Sequence, residues 1–146
     1  MKRNGCFAKF RTGGLTPDAI PSVEHVATFI RACSDRRLPF KATAGLHHPV
    51  RGPHPLTYDA GAPRAVTHGF LNFFLAAAFA WHGDRDIEPI LAETDPTLFR
   101  FDERVHWRDR SLSSDQVREA RQAFVHSFGS CSFDEPVRGL EALGLL

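Results

Sequence analysis

The chain is short of lysine, of cysteine and of net charge. Its 146 residues carry 18 Lys+Arg against 17 Asp+Glu, a net charge of +1. No bulk field draws nucleic acid or an anionic membrane surface, and neither is expected as a partner. Lysine occurs only at Lys2, Lys9 and Lys41, so the basic surface is delegated almost wholly to arginine. The three cysteines, Cys6, Cys33 and Cys131, have no C-x-x-C spacing for a metal, and an odd number argues against a disulfide framework. A reducing, cytoplasmic setting is the expectation. Apolar runs are short as well. The longest, Phe70 to Trp81, is too short to cross a bilayer, and nothing after Lys2-Arg3 has the apolar core of a secretory signal. Neither a fixed-period repeat nor a low-complexity tract is present.

What is there suits one globular domain over residues 1–146, with 42% hydrophobic and 24% charged residues. Two of its segments read alike. Cys6-Phe7-Ala8-Lys9-Phe10-Arg11-Thr12-Gly13-Gly14 and Leu38-Pro39-Phe40-Lys41-Ala42-Thr43-Ala44-Gly45-Leu46-His47-His48 are each a strand-like run, a lysine and a Gly-containing turn. Between them Pro21-Ser22 opens a helix whose apolar positions Val23, Val26, Phe29, Ile30 and Cys33 keep the 3.6 period, and Asp35-Arg36-Arg37 closes it. Residues 5–48 thus read as a strand–helix–strand unit, and parallel α/β proteins place catalytic groups where strands end.

The rest reads as an irregular, proline- and glycine-rich loop over 49–65 and helices over 66–81 and 86–93. A hairpin of Leu98–Phe101 and Val105–Arg108 turns at Asp102-Glu103, and helices over 114–127 and 133–143 follow. Ser113 with Gln116, and Ser132 with Glu135, fit the capping box that starts the last two helices. The expected fold class is α/β, a small partly parallel sheet with a mostly helical C-terminal half. The helix of Phe70–Trp81 is apolar all round and must be covered on every side. A chain this small has few elements for that, so a homo-oligomer or a partner chain is expected.

Lysine carries the sharpest chemistry. A lysine amine attacks a carbonyl only when deprotonated, and desolvation or a second cation beside it favours that state. Lys9 and Lys41, at the ends of neighbouring strands, are a candidate catalytic pair; the alternative is that each pairs with a carboxylate at its strand. The turns Thr12-Gly13-Gly14 and Ala44-Gly45 can offer backbone amides beyond the strand ends, and with Arg11 they read as an anion-binding site. His47 and His48 are candidate general acid/base groups. With His54, His68 and His82 they also offer imidazoles to a metal, but without an H-x-x-x-H or H-E-x-x-H pattern no metal or other cofactor is assigned. Cys131, beside the start of the last helix, reads either as a nucleophile or as a small residue next to an N-cap serine. Trp81, Trp107 and the 13 phenylalanines read as core.

Lys9-Phe10-Arg11-Thr12-Gly13-Gly14, a helix, then Phe40-Lys41-Ala42-Thr43-Ala44-Gly45-Leu46 resembles the paired strands of class I, Schiff-base aldolases of the deoxyribose-phosphate aldolase type. There K-x-x-T-G on the sixth strand of a (β/α)8 barrel is followed by K-x-x-G-G on the seventh. The resemblance implies that Lys9 is the Schiff-base lysine and Lys41 the second lysine that lowers its pKa. It covers about 45 of the 146 residues, and a whole barrel needs roughly 200 or more. The fold it implies is therefore part of a TIM barrel, a half-barrel or a fragment. The leading expectation is an enzyme acting on a small carbonyl or anionic organic substrate, aldolase-like. The alternatives are a non-catalytic subunit that completes a partner's barrel, and a metal-dependent hydrolase built on the histidines.

Overall fold

A computed structural model describes residues 5–146. The architecture is α/β, and its centre is a three-stranded parallel sheet. β1 (Ala8–Arg11) and β2 (Phe40–Thr43) are adjacent and parallel, with Lys9 opposite Lys41, and the helix between them is α1 (Val23–Asp35). Ser22 caps α1 by accepting from the His25 amide at 3.1 Å.

Two elements depart from expectation after β2. The stretch 49–65 is not irregular throughout: β3 (Gly52–Pro55) pairs antiparallel with β4 (Arg64–Thr67) as a separate two-stranded ribbon. Pro53 and Pro55 disguise β3, yet a ribbon with open edges tolerates residues that cannot donate to a ladder. The helix that follows, α2, is shorter than expected at Phe70–Trp81, because 64–67 is strand.

α3 (Glu88–Ala92) comes next, then the expected hairpin as β5 (Phe99–Phe101) and β6 (Arg104–Trp107). A third strand, β7 (Arg110–Ser113), completes an antiparallel meander. α4 (Ser114–Ala123) starts with the predicted capping box, the Ser113 hydroxyl accepting from the Gln116 amide and the Gln116 side chain accepting from the Ser113 amide. It ends earlier than the sequence pattern suggests. Val125–Gly129 forms β8, which adds to the far side of β2 in parallel, giving the order β1-β2-β8. The C-terminal half is thus mixed rather than mostly helical, and α5 (Asp134–Ala142) closes the chain. No helix among the described residues is long and apolar enough to cross a membrane.

The core lies on one face of the parallel sheet. Phe10 stacks on Phe29 of α1 at 4.4 Å, while Phe40 packs edge-on to Phe29, to Phe73 of α2 and to Phe124. α2 is covered inside this single chain: Phe73, Ala76 and Ala77 are fully buried and Phe70, Leu75 and Phe79 nearly so. Self-association therefore loses that helix as its reason. Nor is α2 apolar throughout. Asn72 is fully buried and donates to the Ile90 and Glu93 carbonyls at 2.8 Å while accepting from the Arg51 amide at 2.9 Å. It ties α2 to α3 and to the start of β3.

Candidate functional site

The segments that leave β1, β2 and β8 emerge at one edge of the parallel sheet, as three strands running the same way must. They enclose a cavity of about 430 Å³, roofed by the β3–β4 ribbon and walled by α5. Its apolar lining includes Leu15, Ile20, Pro55 and Leu56; its polar groups include Arg11, His47, His48, His54, Tyr58, Ser130, Cys131 and Glu135.

The two Gly turns are built against each other. A Cβ on Gly13 would sit 3.0 Å from the Gly45 Cα, and one on Gly45 would sit 2.8 Å from the Gly13 Cα. Gly45 also has φ +84, a left-handed conformation that glycine adopts without steric cost. Close approach of two backbones is therefore reason enough for these glycines. Thr12, 1% exposed, is spent on the same junction: its hydroxyl donates to the carbonyl of Ala44 and lies 3.3 Å from that of Thr43. It does not line the cavity. Gly13, Gly14 and Gly45 do, and so does Arg11, whose Nε donates to the Gly13 carbonyl at 3.0 Å. The two Nη groups of Arg11 make no hydrogen bond within the protein among the described residues.

His47 is the most organised titratable group here. Its Nδ1 lies 3.0 Å from Ser130 Oγ and 3.3 Å from Glu135 Oε2. Both partners address the same nitrogen, so this is not a nucleophilic Ser-His-acid relay, which needs its serine on the other one. It is a carboxylate-oriented imidazole. With Nδ1–H donated, Nε2 keeps the lone pair. Glu135 in turn accepts from the Tyr58 hydroxyl at 2.8 Å, and Tyr58 Oη is 3.7 Å from the Cys131 sulfur. Those contacts, the carboxylate's first, push the Tyr58 phenol well above its ordinary range, so it stays a donor.

His48 and His54 stack face to face, centroids 3.5 Å apart and planes at 14°. Burial lowers both pKa values; that of His54 falls to about 4, with His48 and Arg64 adding to the effect. The pair is therefore neutral at physiological pH. Among the described residues no three His, Cys, Asp or Glu side chains are placed to share a metal ion.

Lys9 and Lys41 stand elsewhere. They are exposed neighbours in register on the sheet face opposite the core, lining a separate shallow depression with Phe7, His126 and Ser127. The alternation of the strands decides this: Phe10, Phe40 and Ala42 turn to the core, so the lysines turn away. Neither lysine enters the cavity of Arg11 and His47 or meets the desolvation a nucleophilic amine needs. His54, expected only among imidazoles for a metal, lines the cavity beside His48. Ser130, Glu135 and Tyr58 are site residues to which the sequence pattern assigns no chemistry; the capping pattern of Ser132 with Glu135 and the proline-rich loop held their only signals.

No family model, curated protein or solved structure matches the chain.

Proposed function

We propose that the chain is an enzyme that takes a small organic carbonyl or carboxylate substrate into the strand-end cavity and moves a proton on it by general acid–base catalysis at His47. The observation that carries this reading is the doubly anchored Nδ1 of His47, which leaves Nε2 as an oriented base beside a carboxylate that stabilises the imidazolium once formed. Arg11 supplies a cation for a substrate carboxylate or for negative charge gathering on a carbonyl oxygen. Leu15, Ile20 and Leu56 suit an apolar substrate portion.

The chemistry is lyase-like. Nε2 accepts a proton from the carbon next to the carbonyl, or from a β-hydroxyl whose carbon–carbon bond then breaks. The electron pair moves to the carbonyl oxygen, and the imidazolium returns the proton to the resulting enolate. This keeps the reaction class that the aldolase resemblance implies while moving its base from Lys9 to His47. The amine of Lys9 opens onto the other face of the sheet, and that favours the imidazole.

The test is hydrogen–deuterium exchange by NMR, in deuterated water, over a panel of small aldehydes, ketones and 2-oxo acids. At least one should exchange its α-proton. His47→Ala should lower the rate roughly 100-fold or more, and Arg11→Ala should weaken the thermal shift given by simple carboxylates. Absence of both exchange and carboxylate-induced shift sinks the proposal. Borohydride trapping of an aldehyde on Lys9 returns the base to the lysine.

A further inference from the structure

An all-parallel sheet is stable when both of its faces are covered. Here one face is. Phe10, Phe40, Ala42 and Val125 pack on helices, while the other presents Lys9, Lys41, His126 and Ser127 to solvent, with Phe7 63% exposed beside them and 5.4 Å from the His126 ring. Among the described residues nothing lies over this face, and both outer strands, β1 and β8, have one free edge. The depression in it measures about 490 Å³.

Its charge is one-sided. Lys9 and Lys41 are direct cross-strand neighbours, and like charges directly opposite each other work against strand pairing. Among the described residues no carboxylate stands within 4 Å of either ammonium. A chain with only three lysines sets two of them side by side on one sheet face, and among the described residues neither a covering element nor a counter-charge meets them.

We infer that this face is a docking surface for an acidic polypeptide, one that packs on the lysine side of the sheet and sets Asp or Glu carboxylates against Lys9 and Lys41. A second copy is the poorer occupant, because two such faces in contact bring four ammoniums together. A small anion alone is poorer too: it can neutralise the lysines but leaves Phe7 and the sheet face bare. The surface is independent of the His47 cavity.

A charge-reversed copy of the chain is the probe. Lys9→Glu/Lys41→Glu changes two exposed side chains, and far-ultraviolet circular dichroism checks that the fold is kept. Mixed one to one with the parent at low ionic strength, it should give a species of twice the 16.3 kDa monomer mass by light scattering. That species should dissociate in high salt. Replacing the parent by Lys9→Gln/Lys41→Gln should weaken association tenfold or more. On the unmodified protein, carbodiimide coupling in an extract of the producing cells should join Lys9 or Lys41 to an Asp or Glu outside this chain. A mixture that stays monomeric, with no such coupling, overturns the inference. So does a parent that dimerises alone through Lys9 and Lys41, or protection of the lysines by tripolyphosphate and not by the acidic copy.

Discussion

Acid should loosen this protein through a ring that carries no charge at neutral pH. In the unfolded chain His54 takes its proton at the ordinary histidine value of 6.5; in the folded chain it resists until about 4, chiefly because it is buried and secondly because His48 and Arg64 stand by it. Between those limits the unfolded state binds the extra proton, so stability rises with pH across the window. The contribution is complete above 6.5, is lost progressively as the pH falls, and is exhausted below about 4. At ~1.4 kcal/mol per pH unit the full window is worth about 3 kcal/mol, and partial exposure of the ring trims this toward about 2.

Salt-bridged carboxylates enter only at the acid end of the window. Asp35 and Glu88, held below their ordinary values of 3.8 and 4.5 first by their arginine partners, begin to lose stability as the pH falls toward those values, and they do so equally in parent and variant. Urea unfolding followed by tryptophan fluorescence, from neutrality to about pH 4.5, reads the effect when the parent is set against His54→Gln. The parent should lose about 1.5 kcal/mol more than the variant on acidification to that pH. His48 and His68, also lowered by burial, leave some slope in both proteins. Two stability curves that run parallel down to pH 4.5 would refute the neutral-stack reasoning.

Four further substitutions test the framework. Gly45→Ala forces a Cβ to 2.8 Å from the Gly13 backbone at φ +84, and should cost about 2–4 kcal/mol in denaturant unfolding together with the anion-induced thermal shift; an unchanged midpoint removes the packed-turn account. Asn72→Leu strands the Ile90 and Glu93 carbonyls and the Arg51 amide, and at ~1 kcal/mol or more each should cost at least about 3 kcal/mol by the same assay. Ser113→Ala, which dismantles a complete capping box, should cost about 1 kcal/mol. Ser132→Ala should cost clearly less, because Glu135 does not reciprocate; equal losses would contradict that.

Periodicity was enough for α1, for the β1–β2 pairing with its matched lysines, and for the β5–β6 hairpin, because each rests on local patterning. It was not enough for β8. Val125–Gly129 continues an amphipathic helical pattern, and only its place beside β2 makes it strand, a tertiary preference that outranks local propensity. The same limit governs the lysines. Matching position in two strands correctly predicts that two side chains are neighbours, but which face of the sheet they share depends on where the helices pack. Here the phenylalanines take the helix side and leave the amines outside.

Glu135 shows most sharply how a local pattern is turned to another use. Its spacing from Ser132 matches a capping box, and the Ser132 hydroxyl does accept from the Glu135 amide at 3.3 Å. The carboxylate, however, turns away from the helix start to accept from Tyr58 and to stand beside His47, and the Ser132 amide lies 3.3 Å from Ser130 Oγ instead. A residue that forgoes its local partner for one 77 positions away and another in the cavity ties α5 to the β3–β4 ribbon at the site's mouth. The half-made cap therefore marks the site: the helix forgoes a reciprocal cap so that one carboxylate can orient the imidazole.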